Sequence, residues 1–123
     1  MRHVIFASFA LAAFAALGAC SHTGLGGAVR NDITARMQTV QDPITACYAE
    51  RLKKNRKLKG TMTLSVTAAA TTGQFTDVKI ARDEVGDAEL GTCVVTEVSK
   101  LKLEQPTKSA VVFEYPLAFA PTK

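Results

Sequence analysis

The chain has 123 residues, and its formal net charge at pH 7 is +4. This length is enough for one small domain and excludes two. Apolar residues make up 47% of the chain, and 3 residues are cysteines. The positions of the apolar residues predict the buried faces, and those of the cysteines bear on export and disulfide pairing.

The first 19 residues have the composition of a secretory signal peptide. A short positive segment, residues 1–3, precedes 16 uncharged and mainly apolar residues, 4–19. This run is shorter than the roughly 20 residues that a helix needs to cross a bilayer, and small residues close it, as in signal peptides. A buried core helix is the alternative, but the run has no polar face. We therefore predict that residues 1–19 are a leader removed on export.

The leader runs into LGAC, residues 17–20, which resembles the lipobox of bacterial lipoproteins. In that family the cysteine is acylated and becomes the first mature residue, which implies lipidation of Cys20. The acyl chains would anchor the protein to a membrane, facing the periplasm. In similar lipoproteins of Gram-negative bacteria, a residue such as Ser21 favours the outer membrane over the inner one. The alternative is ordinary cleavage after Gly18, with the small Ala16 two positions before it.

A tether and a first helix follow the leader. Residues 20–28 are small and polar, and their glycines do not complete the spacing of a dinucleotide-binding loop. A helix is predicted over residues 29–41, with Asn31 or Asp32 as its cap. Its apolar residues recur at helical spacing: Val29, Ile33, Met37 and Val40.

The remaining residues, 42–120, are predicted to form the domain, which opens with a helix. Asp42 before Pro43 is typical of a helix N-terminus, because the carboxylate caps it and proline needs no hydrogen-bond partner there. One face of this helix is apolar and comprises Ile44, Cys47, Tyr48 and Leu52.

Two strands follow this helix. Polar and apolar residues alternate over residues 61–69, which predicts a half-buried strand. A return strand is predicted over residues 75–82, with Val78 and Ile80 pointing inward. Because the apolar residue before these two is out of step with them, a bulge is predicted near residues 76–77.

A second helix and a last strand complete the domain. Asp87, at the end of an acidic loop, is predicted to cap the helix, and residues 105–107 to break it. The apolar face of this helix comprises Leu90, Cys93, Val94, Val98 and Leu101. The last strand is predicted over residues 108–119, and Pro116 places it at a sheet edge because proline cannot donate to a ladder. Its apolar face comprises Val111, Phe113, Tyr115, Leu117 and Phe119.

The order helix, strand, strand, helix, strand predicts an α+β fold with helices on one face of a small sheet. The right-handed crossover rule places the third strand beside the first. We therefore expect a three-stranded antiparallel sheet of order 2-1-3 with two helices on one face, plus the N-terminal helix.

Cys47 and Cys93 lie on the buried faces of two helices that cover the same side of this sheet. In an oxidising periplasm such residues are expected to pair. A loop of about 46 residues closed in this way could add on the order of 4 kcal/mol of stability by chain entropy. The alternative is two separate small core hydrophobes.

A combination of short motifs resembles the C-terminal domain of the AgmX/PglI proteins of myxobacterial gliding motility. The fold of that family is similar to the TonB C-terminal domain, so the resemblance implies the same element order. It covers about residues 43–119. The motifs are Cys47-Tyr48 on the first helix, Leu58-Lys59-Gly60 before the first strand, Cys93-Val94 on the second helix, and Tyr115-Pro116-Leu117-Ala118-Phe119 at the end.

Nothing in the sequence indicates catalysis, a metal or a cofactor. Outside the leader the only histidine is His22, so a serine or cysteine nucleophile lacks its usual base. The acidic residues of 83–89 do not have calcium-loop spacing, and the basic residues of 51–59 would suit a helix C-terminus, anionic lipid or an acidic partner. An exported protein rarely meets nucleic acid. We expect no enzyme activity, no metal, no cofactor and no small-molecule substrate.

The leading interpretation is a noncatalytic envelope lipoprotein that binds another envelope protein in an envelope or motility-type complex. TonB-like domains offer an edge strand to an extended peptide, and the corresponding candidate residues here are Ala110, Val112 and Glu114. The alternative is a structural or inhibitory periplasmic lipoprotein acting through its helix face and basic cluster. A small hydrolase is a third interpretation.

Overall fold

The structure is a computed structural model that describes residues 26–121. The predicted leader, the lipidation of Cys20, Ser21 and the lone histidine of the tether lie outside the described residues. Among residues 26–121 no helix is both long enough and apolar enough to cross a membrane. The elements are α1 (Gly27–Gln38), α2 (Gln41–Leu52), β1 (Gly60–Ala68), β2 (Phe75–Asp83), α3 (Ala88–Val98) and β3 (Val111–Phe119).

The three strands form one antiparallel sheet of order β2-β1-β3, which confirms the predicted order. The central strand β1 alternates along its length between buried and half-buried residues. Its inward residues, which begin with Met62, are completely shielded from solvent. β3 pairs with β1 in unbroken register from Gly60 opposite Phe119 to Ala68 opposite Val111. The alternation read from the sequence therefore identifies the buried face correctly.

All three helices cover that buried face and share one core with the sheet. α1 contributes Ile33 and Met37, so it belongs to the same hydrophobic cluster as the strands. The ring of Tyr48 lies 5.1 Å from that of Phe119, between centroids, which joins α2 to β3. The core includes Ile44, Cys47, Leu58, Met62, Leu64, Val66, Phe75, Leu90, Val94, Val98, Leu103, Phe113 and Leu117.

The first helix starts earlier than predicted. Gly26 is the N-cap residue, and the first helical residue, Gly27, lies two positions before the predicted start at residue 29. The helix ends at Gln38 instead of residue 41. The last two residues of the predicted tether are therefore helical.

Asp32 does not cap α1, contrary to the prediction, and neither does Asn31, because both lie inside the helix. The Asp32 carboxylate instead accepts hydrogen bonds from the backbone N–H groups of Glu104 (3.2 Å) and Gln105 (2.9 Å). These contacts fasten α1 to the segment that follows α3.

The start of α2 and the end of α3 also differ from the prediction. The N–H of Ile44 donates to the carbonyl of Val40 (2.9 Å), so α2 begins before Asp42, which lies in its first turn and caps nothing. α3 ends at Val98 instead of running to about residue 104. The segment after α3 is instead tied to the start of β2: the carbonyls of Ser99 and Leu101 accept from the Gln74 side chain (3.0 Å each), and that of Leu101 also accepts from the N–H of Phe75.

β2 is irregular, as predicted. The register with β1 shifts twice, once between Ser65 and Thr67, where the predicted bulge contains Asp77 at φ 51°. The second shift, between Thr63 and Leu64, was not predicted from the sequence. Val78 is half-buried, but Ile80 retains 36% exposure, so the second residue expected to point inward is only partly covered.

Candidate interaction edge

β3 is an edge strand, because only β1 pairs with it among the described residues. Pro116 lies in the middle of its ladder opposite Thr63. Proline is tolerated where the missing N–H would point away from the neighbouring strand. In an antiparallel pair such positions alternate with those bonded to the partner. Residues in step with Pro116 therefore direct their backbone groups to the free side.

A contact on the opposite side of β1 supports this alternation of backbone directions, which we call the parity of the strand. The carbonyl of Thr61 accepts the N–H of Glu84, on the β2 side (2.9 Å). Odd-numbered residues of β1 therefore bond to β2, and even-numbered residues, such as Leu64 opposite Tyr115, bond to β3. The unpaired N–H groups of β3 belong to Val112, Glu114 and Ala118.

The predicted edge residues share this parity. Val112, with a side chain 66% exposed, and the exposed Glu114 are neighbours on the open edge of β3. Ala110 lies one residue before the strand begins at Val111, so it extends the same edge without belonging to the ladder. The structure thus brings the three residues together along one line of backbone.

A groove lies between this edge and α2. It encloses about 390 Å³ and is lined on the helix side by residues including Ile44, Tyr48 and Leu52. On the sheet side it is lined by residues 115–120. A strand added to β3 would present every second side chain to this groove, which has both apolar and polar walls. The edge therefore offers both a hydrogen-bonding ladder and side-chain pockets.

The sequence did not predict the groove. Thr45, Ala49 and Leu52 line it, and they lie on the flank of α2 beside the core-facing residues. Their spacing of four and then three residues was a usable signal, since it marks one helix face. Ala118, in step with Val112 and Pro116, was also missed as an edge residue.

The opposite edge of the sheet, β2, is less suited to pairing. Its two register shifts and the positive φ of Asp77 interrupt the row of backbone groups, which is a recognised way of protecting an edge. Exposed ion pairs also flank it, Lys79 with Asp77 (3.0 Å) and Arg82 with Glu84 (3.0 Å). Of the two sheet edges, β3 is the regular one.

Cys47 of α2 and Cys93 of α3 form a disulfide, with Cα atoms 6.0 Å apart. This agrees with the pairing expected from their positions on two helix faces. Beside it, Arg51 bonds to Asp87 (3.0 Å) and pairs with Glu89, so α2 and α3 are joined by covalent and ionic contacts. The bonded cysteines are not available as nucleophiles.

The acidic loop before α3 has a structural role. Asp87 accepts the N–H of Leu90 (2.9 Å) and caps α3, as predicted. This backbone hydrogen bond, followed by the Arg51 guanidinium, lowers the pKa of Asp87 despite an opposing effect of burial. Asp83 accepts the N–H groups of Val85 and Gly86. Within residues 26–121, no group of three or more metal-binding side chains converges.

Comparisons with known proteins give one similar structure. The chain is similar to the C-terminal domain of TonB from Helicobacter pylori, solved by NMR, with 16% identity and a TM-score of 0.48. The match covers 81% of this chain and 97% of that domain. No protein-family model matches the chain, and no curated protein matches it. The function of the β3 edge is therefore inferred from the geometry of the described residues.

Proposed function

We propose that this chain is a noncatalytic cell-envelope protein that binds an extended segment of another envelope protein. The segment adds as a fourth strand to the free edge of β3 and places alternate side chains in the groove beside α2. One observation carries this proposal: β3 has an open, regular edge with unpaired donors at Val112, Glu114 and Ala118, next to a groove partly lined by apolar side chains.

We further propose that the protein is exported and held on a membrane by acyl groups on Cys20. The 16-residue apolar run and the LGAC motif support this, and Ser21 favours the outer membrane. The disulfide is consistent with an oxidising compartment such as the periplasm. Intact-mass analysis of the purified protein should show a chain that starts at Cys20, carries acyl groups and has no free thiol. A mass that begins at Ala19 without lipid would refute the anchor.

Substitution Val112→Pro tests the edge. It removes an outward-facing N–H without touching a hydrogen bond to β1, so the domain should fold while the partner ladder loses a donor. We expect the partner to disappear from cross-linked, affinity-purified envelopes. Val112→Thr is the matched control, because it changes the same exposed side chain and keeps the N–H.

Charge reversal separates this proposal from action through the basic cluster. Unchanged co-purification with Val112→Pro, together with loss after reversing Lys53, Lys54, Arg56 and Lys57, would select the structural or inhibitory alternative. Circular dichroism and thermal unfolding of each variant show whether a loss of binding reflects a loss of fold.

A further inference from the structure

We propose that the β3 edge and the turn after α2 form one continuous surface, and that its partner segment carries acidic residues beside its apolar, strand-forming part. We call residues 53–59 the basic turn. This inference rests on the proposed function. It adds that the partner segment is acidic, and that its acidic residues lie at the end of the β3 edge nearest the basic turn.

The register of the sheet places the basic turn at one end of the edge. Gly60, which follows the turn, pairs with Phe119 at the C-terminal end of β3. Tyr48 fixes this arrangement, because its ring packs on Phe119 and its hydroxyl donates to the carbonyl of Leu58. A strand added to β3 would end two strand spacings, about 10 Å, from Gly60, a distance that the long lysine and arginine side chains of the basic turn can span.

Most cations of this region remain available to a partner. Arg51 is occupied by Asp87 and Glu89, and Lys53 pairs with Glu50 (2.8 Å). The other four are exposed and form no ion pair with a described residue: Lys54, Arg56, Lys57 and Lys59. The turn thus presents four unpaired cations, and Glu50, which pairs with Lys53, offsets only part of its positive charge.

Hydrogen bonds within the basic turn and the burial of Leu58 support the backbone of the turn. Its backbone is closed by a hydrogen bond from the N–H of Leu58 to the carbonyl of Asn55 (3.2 Å). The side chain of Asn55 accepts the N–H of Lys57 (3.1 Å), and Leu58 is buried in the core. Binding therefore requires the ordering of the cationic side chains but not of the backbone, which reduces its entropic cost.

The geometry favours an acidic peptide over the membrane that would hold the chain. α1 is fastened at the opposite end of the sheet: Asp32 bonds to Glu104, and the adjacent Leu103 donates to Gly73, in the turn after β1. β1 has nine residues, which separates its two ends by about 27 Å. The contact of α1 at Asp32 therefore lies about one strand length from the basic turn.

The charges add selectivity more than affinity. Exposed ion pairs are individually weak and are screened by salt, whereas complementary charge at the rim of an interface raises the association rate and discriminates between partners. The ladder on β3 would hold the segment, and the basic turn would select segments with acidic residues at the correct end.

Selection from a random peptide library on the purified protein tests the inference. Wild-type protein should enrich peptides with alternating apolar residues and two or more acidic residues on one flank. The variant K54Q/R56Q/K57Q/K59Q should keep the apolar alternation and lose the acidic enrichment. The control K79Q/R82Q/K100Q/K102Q removes the same charge elsewhere and should select like the wild type.

Affinities of the selected peptides complete the test. An enriched peptide should bind the wild type about tenfold more tightly than the basic-turn variant at low salt, and the difference should shrink to about twofold in 0.5 M salt. Absence of acidic enrichment, or equal affinity for both proteins, would overturn the inference and leave the proposed function intact.

Two further outcomes would also decide against it. If the basic turn is needed for binding to vesicles containing phosphatidylglycerol, and acidic peptides do not compete, its ligand is a lipid surface. If selected peptides bind Val112→Pro and Ala118→Pro as tightly as the wild type, the edge is not the site and the proposed function itself fails. Circular dichroism of both proline variants shows whether a loss of binding reflects a loss of fold.

Discussion

At the scale of single residues, the short motifs read from the sequence have physical roles around one contact point. Tyr48 donates to the carbonyl of Leu58 and packs on Phe119, while Leu58 is itself buried. Gly60 follows at φ 138°, and a Cβ there would lie 2.7 Å from the carbonyl oxygen of Glu84. These residues close the start of β1 against α2 and β3, which explains why they occur together.

Gly60→Ala should destabilise the domain more than a glycine substitution that is strained by conformation alone. Both Gly60 and Gly86 have positive φ, but a Cβ at Gly86 would meet nothing within 4 Å. We expect a loss in unfolding free energy of about 1 kcal/mol for Gly86→Ala and at least about 2 kcal/mol for Gly60→Ala. Urea denaturation measures both. Equal losses would show that the backbone of Glu84 moves away without cost.

The pH dependence of stability should depend on Asp87. Its pKa is lowered in the folded state, chiefly by the N–H of Leu90 and then by Arg51. The ionised carboxylate therefore stabilises the fold above its ordinary pKa of about 3.9, and this contribution is lost as the pH falls below that value.

Asp87→Asn keeps an oxygen acceptor for the helix cap but cannot ionise. Its unfolding free energy should fall less steeply between about pH 5 and pH 2 than that of the wild type. Urea denaturation across this range measures the slopes. Identical slopes would mean that the carboxylate charge does not contribute.

At the scale of elements, periodicity predicts which faces are buried, and the ends depend on contacts that are distant in sequence. The predictions of the buried face of β1 and of the apolar face of α2 were correct, because burial in the core determines both patterns. α3 ends early, and the segment after it bonds to the β1–β2 turn through Leu101 and Leu103, while Asp32 bonds to the segment after α3 instead of capping α1. Such tertiary hydrogen bonds leave no local pattern.

The disulfide between α2 and α3 should contribute a large part of the stability of this domain. It closes a separation of 46 residues, and removing such a bond typically costs about 2–4 kcal/mol. We expect a loss of this size for Cys47→Ala/Cys93→Ala, measured by urea denaturation without reductant. Reductant should destabilise the wild type and leave the double variant unchanged. An equal effect of reductant on both would contradict a stabilising Cys47–Cys93 bond.

At the scale of the whole molecule, the sequence predicted one component of the candidate surface. Pro116 and the crossover rule identified β3 as an edge, and the parity of Val112 and Glu114 follows from the same proline. The groove could not be predicted from the sequence, because it is formed by the packing of α2 against β3. Which cations of this region remain free could not be predicted from the sequence. That depends on the ion pairs of Arg51 and Lys53, which are set by tertiary and side-chain geometry.

The central claim is that a partner segment lies extended along β3. Photoreactive residues placed at Val112 and Ala118 on β3, and at Thr76 and Arg82 on β2, test it in intact envelopes. The two β3 positions should cross-link to one partner segment, at residues about six apart, because both chains are extended. Mass spectrometry of the adducts measures that separation. Cross-links from the β2 positions with β3 silent, or β3 cross-links to partner residues without this spacing, would contradict the claim.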